Sequence, residues 1–428
     1  MNARGLKPTT AESEAGSVLL KLALLFGSFA LVIVIAEFTL RVLDLKRLQM
    51  SPYKVDEKLG WKLVPDQSWQ ETKEGNAKVV INSSGFRDQE RTFTVTSGTY
   101  RIAILGDSFI EAKQVDYDKS LTAQLEKQLT SCPVLTGKKI EVLNFGVQGY
   151  GTAQEYLLLR EEVWKYFPEV VVLAMLPSND LYNNHPSLNP TNSELAPYFT
   201  LDTQSRQLKL QKPGEDDPVR YQLFKTWQKY ARKYQILRVL GKAGLDRFVT
   251  RPASKVDFSN QLGADYQEWL FMKAPELLEM KESWEITEAL IEEMNRSVEQ
   301  QNRLFHLFVI PSAIQVHPDA SMQREFQKKF RLASISLADE RLESLARSKG
   351  IPVLSLASPF LARARAEGKA LHGFANAQPG FGHWNERGHI VAEELLSTQL
   401  CEIIEKKMAE EPQAQEAASG TPEHDPLR

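Results

Sequence analysis

The sequence predicts an α/β fold: a flavodoxin-like, doubly wound parallel sheet of five strands, with a helical insertion and an N-terminal transmembrane helix. Three observations lead there. Five short runs rich in Val, Ile, Leu or Phe are each bounded by turn residues: Arg101–Leu105, Ile140–Phe145, Val170–Met175, Leu304–Ile310 and Ile351–Ser355. Continuous apolar runs suit parallel strands buried on both faces. Helical segments such as Ser120–Thr130 and Thr152–Lys165 alternate with them, as a doubly wound sheet requires. Polar motifs rich in Gly, Ser and Asn follow the strands, where such sheets bind ligands.

Taken in order, residues 1–16 read as disordered. Val18–Leu40 is apolar apart from Lys21 and Glu37. A span needs about 20 apolar residues, and Lys21 can snorkel from one end. A cleaved signal peptide is the rival reading, but Ile33–Ala36 is too bulky for a small-x-small cleavage site. The expectation is an uncleaved anchor over 17–43. Arg4, Lys7 and Lys21 precede it and Arg41, Lys46, Arg47 and Lys54 follow it, so the positive-inside rule does not set its direction.

Residues 51–98 are polar and turn-rich, with a strand-like Lys78–Ile81, and predict a small β-rich lead-in. The α/β domain runs over 99–405. More than a hundred residues separate its third and fourth strands, too many for a structureless loop, so an insertion over about 185–303 carries its own helices. One is Tyr221–Leu240: aromatic and apolar residues from Tyr221 to Leu237 recur at helical spacing, while Lys225, Lys229, Arg232, Lys233 and Arg238 form the other face. Such a helix either packs on the domain with a solvated basic face or lies on an anionic membrane surface. Another helix, Glu285–Asn302, leads into the fourth strand, and Ile390–Leu400 follows the fifth. The Glu-, Ala- and Pro-rich tail, 406–428, reads as disordered.

The chain has 428 residues and a net charge of −3, which gives no electrostatic case for nucleic acid. Its two cysteines, Cys132 and Cys401, lack metal-ligand spacing and make no disulfide framework, though one bridge between them remains open. Neither metal nor cofactor is expected.

Four polar elements follow strands or precede the last helix: Gly106-Asp107-Ser108, Asn144–Gly149, Pro177–Asp180 and Gly382–His389. In a parallel sheet these ends share one edge, so residues distant in sequence converge. Acyl transfer is the chemistry they support. Ser108 would attack an ester carbonyl, and His383 would take the serine proton and return it to the leaving alcohol. The backbone N–H groups of Ser108 and Gly149 and the side chain of Asn179 would hold the oxyanion; each such donor is worth roughly 3–4 kcal/mol in hydrolases. At Gly149 a missing Cβ lets the backbone approach substrate. His389 reads as structural.

Ser108, Gly149, Asn179 and His383, in that order, resemble the four marks of the SGNH, or GDSL, hydrolase superfamily. The flanks resemble its membrane-anchored bacterial branch: Glu37 to Arg41, Leu59-Gly60-Trp61, Ile81–Asp88, Gly149–Thr152, Ile310-Pro311 and His383-Trp384-Asn385. The resemblance covers most of residues 20–400. It implies a metal-free serine esterase, lipase-like or carbohydrate-deacetylating, and in related branches acetyl transfer to exopolysaccharides. It also implies a single-pass inner-membrane protein with a periplasmic catalytic domain.

One departure from the family matters. An Asp usually lies two or three residues before the catalytic His, where this chain has Phe381 and Gly380. Losing that acid costs about 10⁴ in kcat in serine proteases. Three arrangements remain open: a dyad whose His383 is oriented by a backbone carbonyl, which ranks first; a distant acid, Asp180 or Glu386; or a weak or inactive relative that binds glycans or serves in assembly. Hydrolysis and O-acyl transfer to a glycan differ only in whether water or a sugar hydroxyl accepts the acyl group.

Overall fold

The computed structural model describes residues 10–43, 51–189, 195–202, 204–242 and 266–419. The chain divides into two compact units, Pro52–Asp216 with Ala253–Arg428, and Met1–Ser51 with Asp217–Pro252.

The larger unit opens with two antiparallel hairpins, β1 (Tyr53–Asp56) with β2 (Gly60–Leu63) and β3 (Ser68–Glu71) with β4 (Ala77–Val80). The central strands follow: β5 (Thr99–Gly106), β6 (Lys139–Gly146) and β7 (Val170–Met175). A further hairpin, β8 (Tyr198–Leu201) with β9 (Leu208–Gln211), lies in the insertion, so the insertion is not purely helical. The last strands are β10 (Leu304–Val309) and β11 (Val353–Ser355). The five central strands form one parallel sheet in the order β11-β10-β7-β5-β6. Counted along the chain this is 2-1-3-4-5, the flavodoxin-like order, and the chain reverses direction across the sheet beside β5.

Alternating side chains of β5 enter opposite cores, as strand geometry dictates. Ala103 and Leu105 join Phe145, Leu173 and Leu307 against helices Thr152–Glu161 and Leu278–Gln300. Ile102 and Ile104 join Val142, Val172 and Phe308 against helices Leu121–Gln128 and Glu386–Ser419. The last helix thus takes in residues 406–419, expected as disordered; Ala, Glu, Gln and Lys are strong helix formers. Residues 420–428 and 1–9 lie outside the described residues. Residues 10–16, expected as disordered, begin the first helix, Thr10–Val42.

Buried arginines fasten the lead-in to this sheet. Arg101 pairs with Glu141 at 2.8 Å and donates to the carbonyls of Thr92 (2.8 Å) and Tyr166 (2.9 Å). Arg87 donates to the carbonyls of Glu111 (3.0 Å), Ala112 (2.7 Å) and Val115 (2.5 Å). Cys132 and Cys401 are joined by a disulfide, which ties the segment after helix Leu121–Gln128 to the last helix.

His306 on β10 is fully buried, and burial pushes its ring down to about 4 from an ordinary 6.5, against the hydrogen bond to Gln399. The folded state therefore keeps it neutral while the unfolded chain charges it. Its contribution is complete above pH 6.5 and is lost as the pH falls towards about 4, a change on the order of 3 kcal/mol. We expect the stability of His306→Gln to gain on the wild type over this window, as chemical denaturation at stepped pH would measure. A constant difference would refute it.

The smaller unit holds helix Thr10–Val42, within which Ser17–Val42 is long and apolar enough to cross a membrane and is not buried by protein. The helix expected over Tyr221–Leu240 is two, Pro218–Lys233 and Gln235–Lys242. Asp217 caps the first, accepting from Arg220 N–H at 3.1 Å. Tyr234 is extended at the break, where the Arg238 guanidinium donates to the last-turn carbonyls of Ala231 and Arg232. Side-chain donors there satisfy carbonyls that a continuous helix would have satisfied internally.

Candidate active site

Strand β5 ends at Gly106, where a Cβ would lie 2.4 Å from the Ile110 side chain. The close approach turns the chain at once into the short helix Ser108–Glu111, capped by Asp107, whose carboxylate accepts from Phe109 N–H at 2.9 Å. The serine sits at the first position of that helix, half-buried at the sheet's rim. Arg87 holds the far end through the carbonyls named above. Buried Glu111 accepts from Gln148 N–H (2.6 Å) and the Tyr53 hydroxyl (2.8 Å), which fixes the neighbouring Val147–Gly149 turn.

His383 and Ser108 meet. The ring Nε2 lies 2.8 Å from Ser108 Oγ, and Phe109 packs against the imidazole with ring centroids 5.0 Å apart. What orients the ring is Glu74, from the β3–β4 turn. One carboxylate oxygen is 2.5 Å from Nδ1, and the other accepts the backbone N–H of His383 at 2.8 Å. Burial alone would raise the Glu74 carboxyl. Hydrogen bonds from the His383 ring and backbone, with the attraction of its charge, outweigh burial and hold it below its ordinary 4.5.

The turn that carries Glu74 is clamped. Asn376 accepts from Gly75 N–H (3.0 Å) and donates to the carbonyls of Gly75 (2.6 Å) and Thr72 (3.1 Å). Gly382 has φ +81°, and a Cβ there would lie 2.4 Å from Glu74 Oε1. Only glycine lets the carboxylate reach the His383 backbone without strain. Gly382→Ala should therefore displace Glu74 and lower kcat about 10²-fold, the loss that misplacement by about 1 Å brings. Activity on p-nitrophenyl acetate, with an unchanged thermal midpoint as control, measures it; an unaltered kcat would count against the contact.

The carboxylate at His383 Nδ1 thus belongs to Glu74 and to neither Asp180 nor Glu386, the residues the sequence suggested. Asp180 is fully buried below the site, accepting from Thr152 Oγ1 (3.0 Å) and Leu176 N–H (2.9 Å). Burial, with the neighbouring Asp107 charge, pushes its carboxyl well up. Glu386 is exposed and pairs with Lys119 at 2.7 Å. A backbone carbonyl does not orient His383 Nδ1 either, because Glu74 occupies that place. Glu74 carried no local signal, lying 309 residues from His383 on a five-residue hairpin turn.

The backbone N–H groups of Ser108 and Gly149 donate to no acceptor among the described residues. Gly149 needs its glycine for conformation too, with φ +78°. Asn179 is bonded to the residue before Ser108: its Nδ2 donates to Asp107 Oδ2 (2.7 Å) and to the Tyr150 carbonyl (3.1 Å). To serve an oxyanion it must release the longer of these. Asn183 donates to Asn179 Oδ1 at 2.9 Å and sets its orientation. Burial raises the Asp107 carboxyl to about 6, opposed by the Phe109 N–H, His383 and Asn179. His389 is buried, accepting from Leu121 N–H at 3.3 Å, and has the structural place expected of it.

The chain has a five-stranded parallel sheet in the flavodoxin-like order, and at its rim Ser108 and His383 lie within hydrogen-bond reach. No family model and no curated protein matches it. Among solved structures it is similar to an α/β hydrolase enzyme from the metagenome of Lake Arreo, Spain, at 12% identity, 72% of this chain, 98% of the other and a TM-score of 0.36. It is similar to the acetyl xylan esterase AlAXEase, at 15% identity, 70% and 98% coverage and a TM-score of 0.36. A lipolytic protein of the G-D-S-L family from Desulfitobacterium hafniense gives 13%, 70%, 99% and 0.32.

Proposed function

We propose that this chain is a membrane-anchored serine esterase that cleaves O-acyl esters, foremost O-acetyl groups on glycans, with Ser108 as nucleophile, His383 as base and Glu74 as the orienting acid. One observation carries the reading: an unbroken relay from Ser108 Oγ to His383 Nε2 at 2.8 Å and from Nδ1 to Glu74 at 2.5 Å. Ser108 Oγ attacks the carbonyl carbon while His383 accepts its proton. The carbonyl oxygen becomes an oxyanion held by the N–H groups of Ser108 and Gly149. Collapse expels the alcohol, which takes the proton from His383 and leaves an acyl-serine. Water, deprotonated by His383, then releases the acid and restores the hydroxyl. The imidazolium formed in each half-reaction is stabilised by ionised Glu74.

A periplasmic place for this chemistry is supported by the apolar helix Ser17–Val42 and by the Cys132–Cys401 disulfide, since such bonds persist in oxidising compartments. The test is treatment of the full chain with a fluorophosphonate probe, followed by peptide mapping and p-nitrophenyl acetate turnover. The reading requires a label on Ser108 and turnover; folded protein that shows neither would overturn it.

A further inference from the structure

Residues 218–242 contain three arginines and four lysines and no acidic residue, in a chain whose net charge is −3. They form the two helices of the smaller unit, on which Val219, Leu223 and Tyr230 are exposed beside exposed Lys229 and Lys233. Apolar and basic side chains exposed together make a surface that suits neither water nor a protein core alone.

Where this surface sits is fixed by the apolar helix. Both carboxylate oxygens of Glu37 accept from the start of helix Gln235–Lys242, at 3.0 Å from Gln235 N and 3.0 Å from Ile236 N. Arg41 pairs with Glu37 at 2.7 Å and donates to the carbonyl of Lys233 at 2.7 Å, at the end of helix Pro218–Lys233. The two residues that interrupt the apolar pattern at the end of the span are thus the ones that fasten the basic helices to it. Were Ser17–Val42 to cross a bilayer, its Glu37–Arg41 end would lie at the headgroup level, and the helices with it.

We propose that the paired helices Pro218–Lys233 and Gln235–Lys242 are a docking surface for acidic phospholipid headgroups, held at the bilayer by Glu37 and Arg41; this rests on the anchor reading above. Basic side chains near an anionic leaflet are attracted to it, and the exposed apolar ones enter the headgroup–acyl boundary. The occupant follows from charge complementarity and from attachment to the end of the span.

The full chain, with its native cysteines in the disulfide, is labelled with an environment-sensitive dye in Leu223→Cys and separately in Phe26→Cys. Each is reconstituted in vesicles of phosphatidylcholine alone and of equimolar phosphatidylcholine and phosphatidylglycerol, some carrying a headgroup quencher. The label at 26 should report the acyl region in both. The label at 223 should shift to the blue and be quenched several-fold more in the anionic vesicles. The gain should vanish in Lys229→Glu/Lys233→Glu, and in the wild type at about 1 M salt, where screening acts within about 3 Å. Equal signals at 223 in both vesicle types, or a gain that survives charge reversal or salt, would overturn the proposal while leaving the anchor standing. Exclusion of the label at 26 from both would overturn the anchor and this proposal together.

Discussion

Glu74→Gln is expected to lower kcat about 10⁴-fold, the loss that follows when the acid of a serine–histidine pair becomes an amide. The geometry explains why so small a change should cost so much. Glu74 Oε1 accepts the backbone N–H of His383 at 2.8 Å. In the glutamine variant the carbonyl oxygen keeps that bond, because the nitrogen cannot accept it. The amide NH₂ must then face His383 Nδ1, which becomes an acceptor, so the ring proton moves to Nε2. That nitrogen can no longer take the Ser108 proton, and the imidazolium loses its counter-charge. KM should change little, since Glu74 meets the His383 ring at Nδ1, across the ring from Ser108 at Nε2. Steady-state kinetics on p-nitrophenyl acetate would measure this, and a kcat within tenfold of the wild type would exclude Glu74 from the relay. Because the carboxyl is held below its ordinary value, it stays ionised at neutral pH. An acid limb of the rate profile between pH 5 and 8 should therefore not move in Glu74→Asp by the titration of this group.

The central sheet was legible because burial on both faces leaves its mark on each strand separately. β7 falls on Val170–Met175 as expected, and β5, β6 and β10 differ by a few residues at their ends. The places of Ser108, Gly149 and Asn179 were legible because the ends of β5, β6 and β7 share one edge of the parallel sheet, whereas His383, in the loop between helix Ala357–Glu367 and the last helix, was legible only from its place before that helix. Glu74 was not, since it belongs to no strand end of that sheet. Its position depends on the β3–β4 turn, on Asn376 and on Gly382, three features that are unrelated along the sequence. Glycine at 382 looked like ordinary turn chemistry. The break at Tyr234 was equally hidden, because the donors and acceptors that stabilise it come from Arg238 and from Glu37, nearly two hundred residues upstream. No acid lies two or three residues before His383, and the carboxylate at its Nδ1 is Glu74, from the lead-in.

Ser108→Ala is expected to lower kcat on the same ester by about 10⁶-fold, as removal of a serine nucleophile does where the group acts as a unit. The alanine side chain leaves His383 and Glu74 in place but gives them no proton to move. A sharper consequence concerns combinations. If Ser108, His383 and Glu74 form one relay, their losses cannot multiply, because each is useful only through the others. His383→Ala should match Ser108→Ala within a small factor, and Ser108→Ala/His383→Ala/Glu74→Gln should be no slower than Ser108→Ala alone. What survives in the triple variant should still exceed the uncatalysed rate by roughly 10³–10⁴, supplied by the N–H groups of Ser108 and Gly149 and by substrate binding. The backbone donor at position 108 persists in alanine, so that remnant of activity should not depend on the side chain there. Losses that multiply across the three sites, or a Ser108→Ala variant that retains more than about a thousandth of wild-type kcat, would mean that the hydroxyl and the imidazole work on different steps, and the relay would have to be abandoned even though the atoms lie 2.8 Å apart.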